Sequence, residues 1–220
     1  MTALARYVLA RCLVSQRWVP PIVLFALASG VSYSAGGDAL GTGSITALLL
    51  LPATTWVTIS ALQVDDISQI AIVGTSHGSI VRTRVATLLT SFACSCVLAA
   101  LSVGAAIATD PAHGASGGLV TSLTGLLLIN GLGALSGVAL GQVCARPLIP
   151  RPGFSWTIAA GLTIALIAVP KSPFLLVLAA LSSAGRTPPW AEALPPAGLL
   201  LGCDLLVLAL TLWAYSRRSP

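Results

Sequence analysis

The chain has 220 residues, 56% of them apolar and 8% charged, with a mean hydropathy of +0.95 and a formal charge of +5. Soluble domains carry about 25% charged residues, so this chain lacks the polar coat that would dissolve a core of its size, and its surface calls for lipid. At about 20 residues per crossing, the length suits six helices and leaves no room for a separate soluble domain.

The apolar runs are continuous rather than alternating, which favours a helical bundle over a barrel. The basic residues fall in ones and twos between these runs, a pattern that sets membrane topology and argues against a nucleic-acid partner. The five cysteines (Cys12, Cys94, Cys96, Cys144 and Cys203) include no CxxC pair. They read as small packing residues rather than a disulfide framework or a metal site.

In chain order, residues 1–17 carry Arg6, Arg11 and Arg17 among apolar residues and suit a short interfacial helix with weak amphipathicity. The first crossing is expected at 19–35, opening on Pro20-Pro21, which suit a first helical turn. Its end at Ser34-Ala35-Gly36 looks like a signal-peptide cleavage site. The long tri-arginine region before it argues for a retained span.

The second crossing, 44–62, is rich in hydroxyls and carries Pro52, an expected kink. The third (85–108) stops before Asp110-Pro111, and the fourth covers 118–142. In the fourth, Gly133, Gly137 and Gly141 share one face and admit another helix closely, within one subunit rather than as a dimer seam. The fifth covers 154–170 and ends at Pro170-Lys171.

The apolar piece after Lys171 is too short to cross and suits a re-entrant segment within about 171–190. The last crossing, 196–216, follows a loop holding Trp190 and Glu192. Six crossings put Arg6, Arg11, Arg17, Arg82, Arg84, Arg146, Arg151, Arg217 and Arg218 on one side, and only Lys171 and Arg186 on the other. The positive-inside rule then places both termini in the cytoplasm.

Motifs for chemistry are sparse. No phosphate-cradling Gly-x-x-x-x-Gly-Lys-Ser/Thr loop and no His-Glu-x-x-His occur, so no catalytic or metal residue is assigned. Ser136, in Gly133-Ala-Leu-Ser-Gly137, is similar to an intramembrane serine nucleophile. Such a nucleophile needs a base within reach, and neither His77 nor His113 lies in a crossing, so Ser136 is read as a packing residue.

Asp204 lies inside the last crossing, where a carboxylate is costly. One reading puts it on a transport path with Asn130, Thr55 and Thr58. The other, favoured here, makes it a buried carboxyl bonded to Asn130 or to a hydroxyl of the second crossing.

Between the second and third crossings lies Val64-Asp-Asp-Ile-Ser-Gln-Ile-Ala-Ile-Val-Gly74-Thr-Ser-His-Gly-Ser79. Asp65 or Asp66 can cap a short helix over 65–74, Ile67, Ile70 and Ala71 share a face, and Gly74 can end it. A second helix can start after Ser79 and run into the third crossing.

In layout, most of the chain resembles the permease subunits of ABC-2-type exporters. Both have a basic N-terminal segment, two crossings, an acidic-led short helix, and a broken apolar hairpin before the last crossing. The Trp190 to Leu194-Pro195 run also looks like that family, although Gly74-Thr75 follows the short helix here, where the family often has Gly-Thr before it and a proline after.

The resemblance implies that 65–74 is a coupling helix whose Asp65, Asp66, Ile67, Gln69 and Ile70, with His77 beyond it, contact a separate ATP-binding subunit present in two copies. It also implies a second permease, the same or related, and an outer re-entrant piece over 171–190. ATP and Mg would sit on the partner, with no cofactor on this chain. The apolar crossings suit a hydrophobic or amphipathic substrate. The alternatives are a transporter or scaffold that needs no ATPase, and a membrane-embedded hydrolase.

Overall fold

The computed structural model describes residues 2–36, 39–64, 80–109, 119–145, 149, 152–182 and 190–218. These form eight helices: α1 (Thr2–Ser15), α2 (Val19–Ser34), α3 (Ala39–Leu62), α4 (Ile80–Thr109), α5 (Leu119–Cys144), α6 (Pro152–Ala168), α7 (Pro173–Ser182) and α8 (Trp190–Arg218). Four of them, α3, α4, α5 and α8, are long and apolar enough to cross a membrane, and the number rises to six if each of two bent pairs is one crossing. Among the described residues the protein is an all-helical bundle, whose long apolar helices are those of a multi-pass membrane protein by length and composition.

The first bent pair is α1 with α2, which meet at 76°. Gln16 sits between them at φ 53°, an uncommon left-handed conformation for a non-glycine residue, where the chain bends after α1. Pro20 and Pro21 then begin α2 without forfeiting a helical hydrogen bond. The N-terminal segment is helical as expected, but α1 is more than a surface float: Leu4 and Val8, four residues apart, are buried.

The centre of the bundle is α3 packed along α5. A Cβ placed on Gly133 would lie 3.2 Å from the Ala47 carbonyl oxygen. One on Gly137 would run into Thr54 Oγ1 and lie 2.9 Å from Leu51 O, and one on Gly141 would lie 2.6 Å from Thr58 Cβ. The contacts advance together along both helices, so α3 and α5 run parallel. The glycine stripe is therefore spent inside this chain.

The hydroxyls of α3 are made compatible with an apolar setting by bonding to their own backbone. Thr54, Thr55 and Thr58 donate to Leu50 O, Leu51 O and Thr54 O at 2.9, 2.8 and 2.8 Å. Pro52 lies within α3 on its exposed side.

The second bent pair, α6 and α7, meets at 50° across Val169–Ser172. Gln63 Nε2, just past the end of α3, donates to Ser155 Oγ at 3.0 Å near the start of α6. Farther along, Ala159 packs with Ile59 and Cys144, and Leu166 reaches the cluster holding Ala47, Leu51 and Phe174. Phe174 then lies beside Gly133, and Leu181, near the end of α7, lies beside Gly125 and Leu40.

Successive residues of α6 and α7 thus meet α3 ever closer to its N-terminal end. In the part described, the 50° bend between α6 and α7 is that of a broken crossing or of a re-entrant segment, and residues 183–189 of the expected re-entrant piece lie outside the described residues. Pro170 and Lys171, the latter at φ 69°, interrupt one climb partway along the bundle. Hydropathy reads such an interruption as the end of a crossing.

The last helix also begins before the expected 196–216, at Trp190, and carries Pro195 and Pro196 within it. Glu192 in its first turn suits the positive end of the helix dipole, and Ala193 is fully buried among Phe174, Val177 and Leu181.

Two ends of the bundle can now be told apart. The end of α3, the starts of α2, α4 and α6, and the ends of α5 and α8 gather at one end. Arg17 Nη1 donates to Gln63 O there at 3.4 Å, and the guanidinium of Arg84 lies 5.2 Å from the Tyr215 ring centre. Arg17, Arg82, Arg84 and Arg217 therefore share an end, while Lys171 sits at the α6–α7 interruption, away from it.

Candidate functional site

Two places in the bundle carry polar groups where an apolar solvent makes them costly: the seam between α5 and α8, and the basic end beneath the α3–α4 connection. At the seam, Ser136 Oγ donates to Asp204 Oδ2 at 2.6 Å, with both residues buried. Two turns on, Gln142 Nε2 donates to Thr211 Oγ1 at 3.1 Å. Another turn on, Tyr215 meets Arg84 of α4.

Asp204, Thr211 and Tyr215 are spaced seven and four residues apart along α8, so one stripe of that helix carries all three polar attachments. Leu208 and Leu212, partly buried against Leu88 and Val138, flank the same stripe. Away from it, α8 presents Leu194, Leu199, Leu205, Leu206 and Leu210 on its exposed side.

Asp204 is a buried carboxyl, as favoured above, but its partner is a correction: neither Asn130 nor a hydroxyl of α3 reaches it. Asn130 Nδ2 donates to Leu126 O at 3.0 Å within α5, and its buried Oδ1 has no protein partner among the described residues. Thr55 and Thr58 bond to their own helix and stand on α3 against Gly141. Thr55 and Thr58 therefore stand at the α3–α5 interface and Asp204 at the α5–α8 interface.

Ser136 is likewise more than a packing residue. Its hydroxyl donates to the Asp204 carboxyl and the residue is 1% exposed, so it ties α5 to α8.

At the basic end, the stems of the α3–α4 connection are fixed. Gln63 bonds through its N–H to Ile59 O at 3.0 Å, through its side chain to Ser155, and through its carbonyl to Arg17. The other stem enters α4 at Ile80, and the helix runs on through Arg82 and Arg84 without a break, as anticipated. The residues expected to touch a partner, Asp65, Asp66, Ile67, Gln69, Ile70 and His77, lie outside the described residues.

A third polar chain crosses the opposite half of the bundle: Tyr33 Oη donates to Ser102 O at 2.8 Å, and Ser102 Oγ donates to Thr46 Oγ1 at 2.9 Å. Sequence reasoning missed Ser136, Gln142, Thr211, Tyr33 and Ser102 as partners, because each bond joins residues 56 to 69 positions apart. The one available signal was helical register: Asp204 and Thr211 fall on the same face of α8. Among the described residues, no three His, Cys, Asp or Glu side chains gather as metal ligands.

Comparison with known proteins returns no matching protein-family model, no matching curated protein and no matching solved structure.

Proposed function

We propose that the chain is the permease subunit of an ATP-binding-cassette exporter in the cytoplasmic membrane. It would pair with a second permease, the same or related, and be driven by two copies of a separate ATPase that carries the ATP and Mg. The observation that carries this reading is the clamp on Gln63, the stem from which the α3–α4 connection leaves at the basic end.

The positive-inside rule puts that end, and both termini, in the cytoplasm. Six crossings follow when each bent pair counts as one. A short helix over 65–74 would then face the cytoplasm, with Asp65, Asp66, Ile67, Gln69, Ile70 and His77 toward the ATPase. Arg17, Gln63 and Ser155 tie its first stem to α2 and α6. A push on the segment would therefore pass into the α3–α5 pair as a whole. What yields is the lightly held α8 and the interrupted α6–α7 climb, between which a hydrophobic or amphipathic substrate would move.

Purification of the tagged chain from native membranes tests this directly. The expected result is co-purification of an ATP-binding subunit, lost on the paired substitution Asp66→Ala and Ile67→Asp while the permease itself still purifies. Absence of any ATPase, or indifference of the complex to those substitutions, overturns it.

A second reading, an ATPase-independent transporter, is favoured by one observation: a helix interrupted within the bundle with Lys171 at the break. Half-helix ends of that kind form substrate and ion sites in secondary transporters. Uptake by vesicles under an ion gradient without ATP would favour that reading over the first.

A further inference from the structure

A cavity of about 230 Å³ lies between α1, α2, α3 and α4. Val57 and Ala61 of α3 and Leu98 of α4 line it and are buried. Leu9 and Leu13 of α1 and Val97 of α4 also line it and are exposed, so it opens on the flank of the bundle. Val97 stands about 25 Å along the helix from Ile80, in a helix of 30 residues. That depth belongs to the hydrocarbon of a bilayer about 30 Å thick, so the neighbour at the opening is lipid.

The polar side chains of the lining are occupied by the protein itself. Ser15 Oγ donates to Cys12 O and Thr90 Oγ1 to Ala86 O, both at 2.8 Å. Trp18 Nε1 donates to Leu13 O at 3.4 Å and Ser60 Oγ to Arg17 O at 3.5 Å. Ser91 Oγ has no partner among the described residues, but the atom is buried and offers an occupant no surface. No charged side chain lines the cavity among the described residues. A polar molecule would lose its water and find little to bond in return. Apolar cavities of ~150 Å³ stay dry and take up hydrocarbon, and this one is larger.

We infer that this cavity is a binding site for one hydrocarbon chain, the acyl chain of a bilayer lipid, which enters sideways past Leu13 and Val97 and reaches Val57 and Ala61. The site reads the chain and takes no part in choosing the head. It depends on the membrane setting and not on which energy source drives transport.

The test uses the full chain in phosphatidylcholine vesicles that contain a fraction of the same lipid with a photoreactive diazirine on one acyl chain. After irradiation, mass spectrometry of peptides reads which residues the chain touched. Val57 and Ala61 are expected to carry label, because the cavity leads a chain to that face of α3. Leu50 and Leu51, buried on the same helix but outside the cavity lining, should carry none. Leu98→Trp, which fills the cavity, should bring Val57 and Ala61 down to the level of Leu50 and Leu51, while the exposed Leu205 of α8 keeps its label.

Wild-type labelling of Val57 and Ala61 no stronger than that of Leu50 and Leu51 overturns the proposal, and this arm needs no variant to fold. Undiminished labelling of Val57 and Ala61 in a monodisperse Leu98→Trp protein overturns it as well. Exchanging the reactive lipid for phosphatidylglycerol with the same chains should leave the pattern unchanged. Labelling of Val57 and Ala61 by one of the two lipids alone would show that a head is recognised, and would refute a site for the chain by itself.

Discussion

The two seams of α5 are built from opposite materials. Toward α3, three glycines let the backbones approach until carbonyl oxygens and threonine side chains fill the space a Cβ would need. Toward α8, contact rests on Ser136–Asp204 and Gln142–Thr211, with Arg84 and Tyr215 beyond. The most apolar stretch of α3 is 72% buried in the bundle, that of α8 only 17%. Lipid tails are as apolar as leucine, so no hydrophobic force pulls membrane helices together. Close packing and a few hydrogen bonds must do it. The first seam uses packing and resists sliding, while the second uses discrete bonds and can exchange them.

Substitutions can break or sharpen that contrast. The largest effect belongs to Gly137→Ala, whose new methyl would meet backbone and Thr54 at once. A loss of about 3 kcal/mol is expected in a reversible unfolding assay in bilayers. A loss below 1 kcal/mol would show that α3 and α5 can part easily.

Next comes Ser136→Ala, which leaves the Asp204 carboxyl buried without its donor and should cost about 1–3 kcal/mol. The double substitution Ser136→Ala with Asp204→Leu should recover most of that loss, because both partners are then apolar. Failure to recover would mean that the carboxyl has another partner.

Smaller still, Thr211→Val removes one interhelical bond and should cost about 0.6 kcal/mol, typical of membrane helix pairs. The smallest effect is expected at Gly202→Ala on the same helix. A methyl there meets nothing within 4 Å, so stability should move by no more than about 0.5 kcal/mol.

Much of the architecture is legible in the sequence because lipid imposes a single requirement, long apolar helices, that hydropathy reads directly. The expected crossings overlap α2 to α6 and α8, and the glycine stripe marks a close-packed face before its partner is known. Three features were not legible. The partner of Asp204 is 68 residues away, and no local pattern selects Ser136 over Asn130.

The packing of the segment after the α6–α7 interruption was not legible because Pro170-Lys171 signals only a stop, while tertiary contacts bring Phe174 beside Gly133 and Leu181 beside Gly125. The early start of α8 was hidden by Pro195 and Pro196, which look like a loop until Ala193 is seen packed against α7. For the candidate site, the stems of the α3–α4 connection were anticipated, but the Arg17–Gln63–Ser155 clamp joins three separate crossings and leaves no local trace.

The parallel run of α3 beside α5 also dictates an order of assembly. Two parallel neighbours cannot be a hairpin, and α4 must pass between them in the chain. During synthesis α3 therefore enters the bilayer without its closest neighbour and must wait for residues 133–141 to leave the ribosome. Its threonines are already occupied with their own backbone, which lets it wait in lipid unaccompanied. In nascent chains stalled before Gly133, the face of α3 that later meets α5 should therefore cross-link to lipid, and lose that contact once the finished protein covers it.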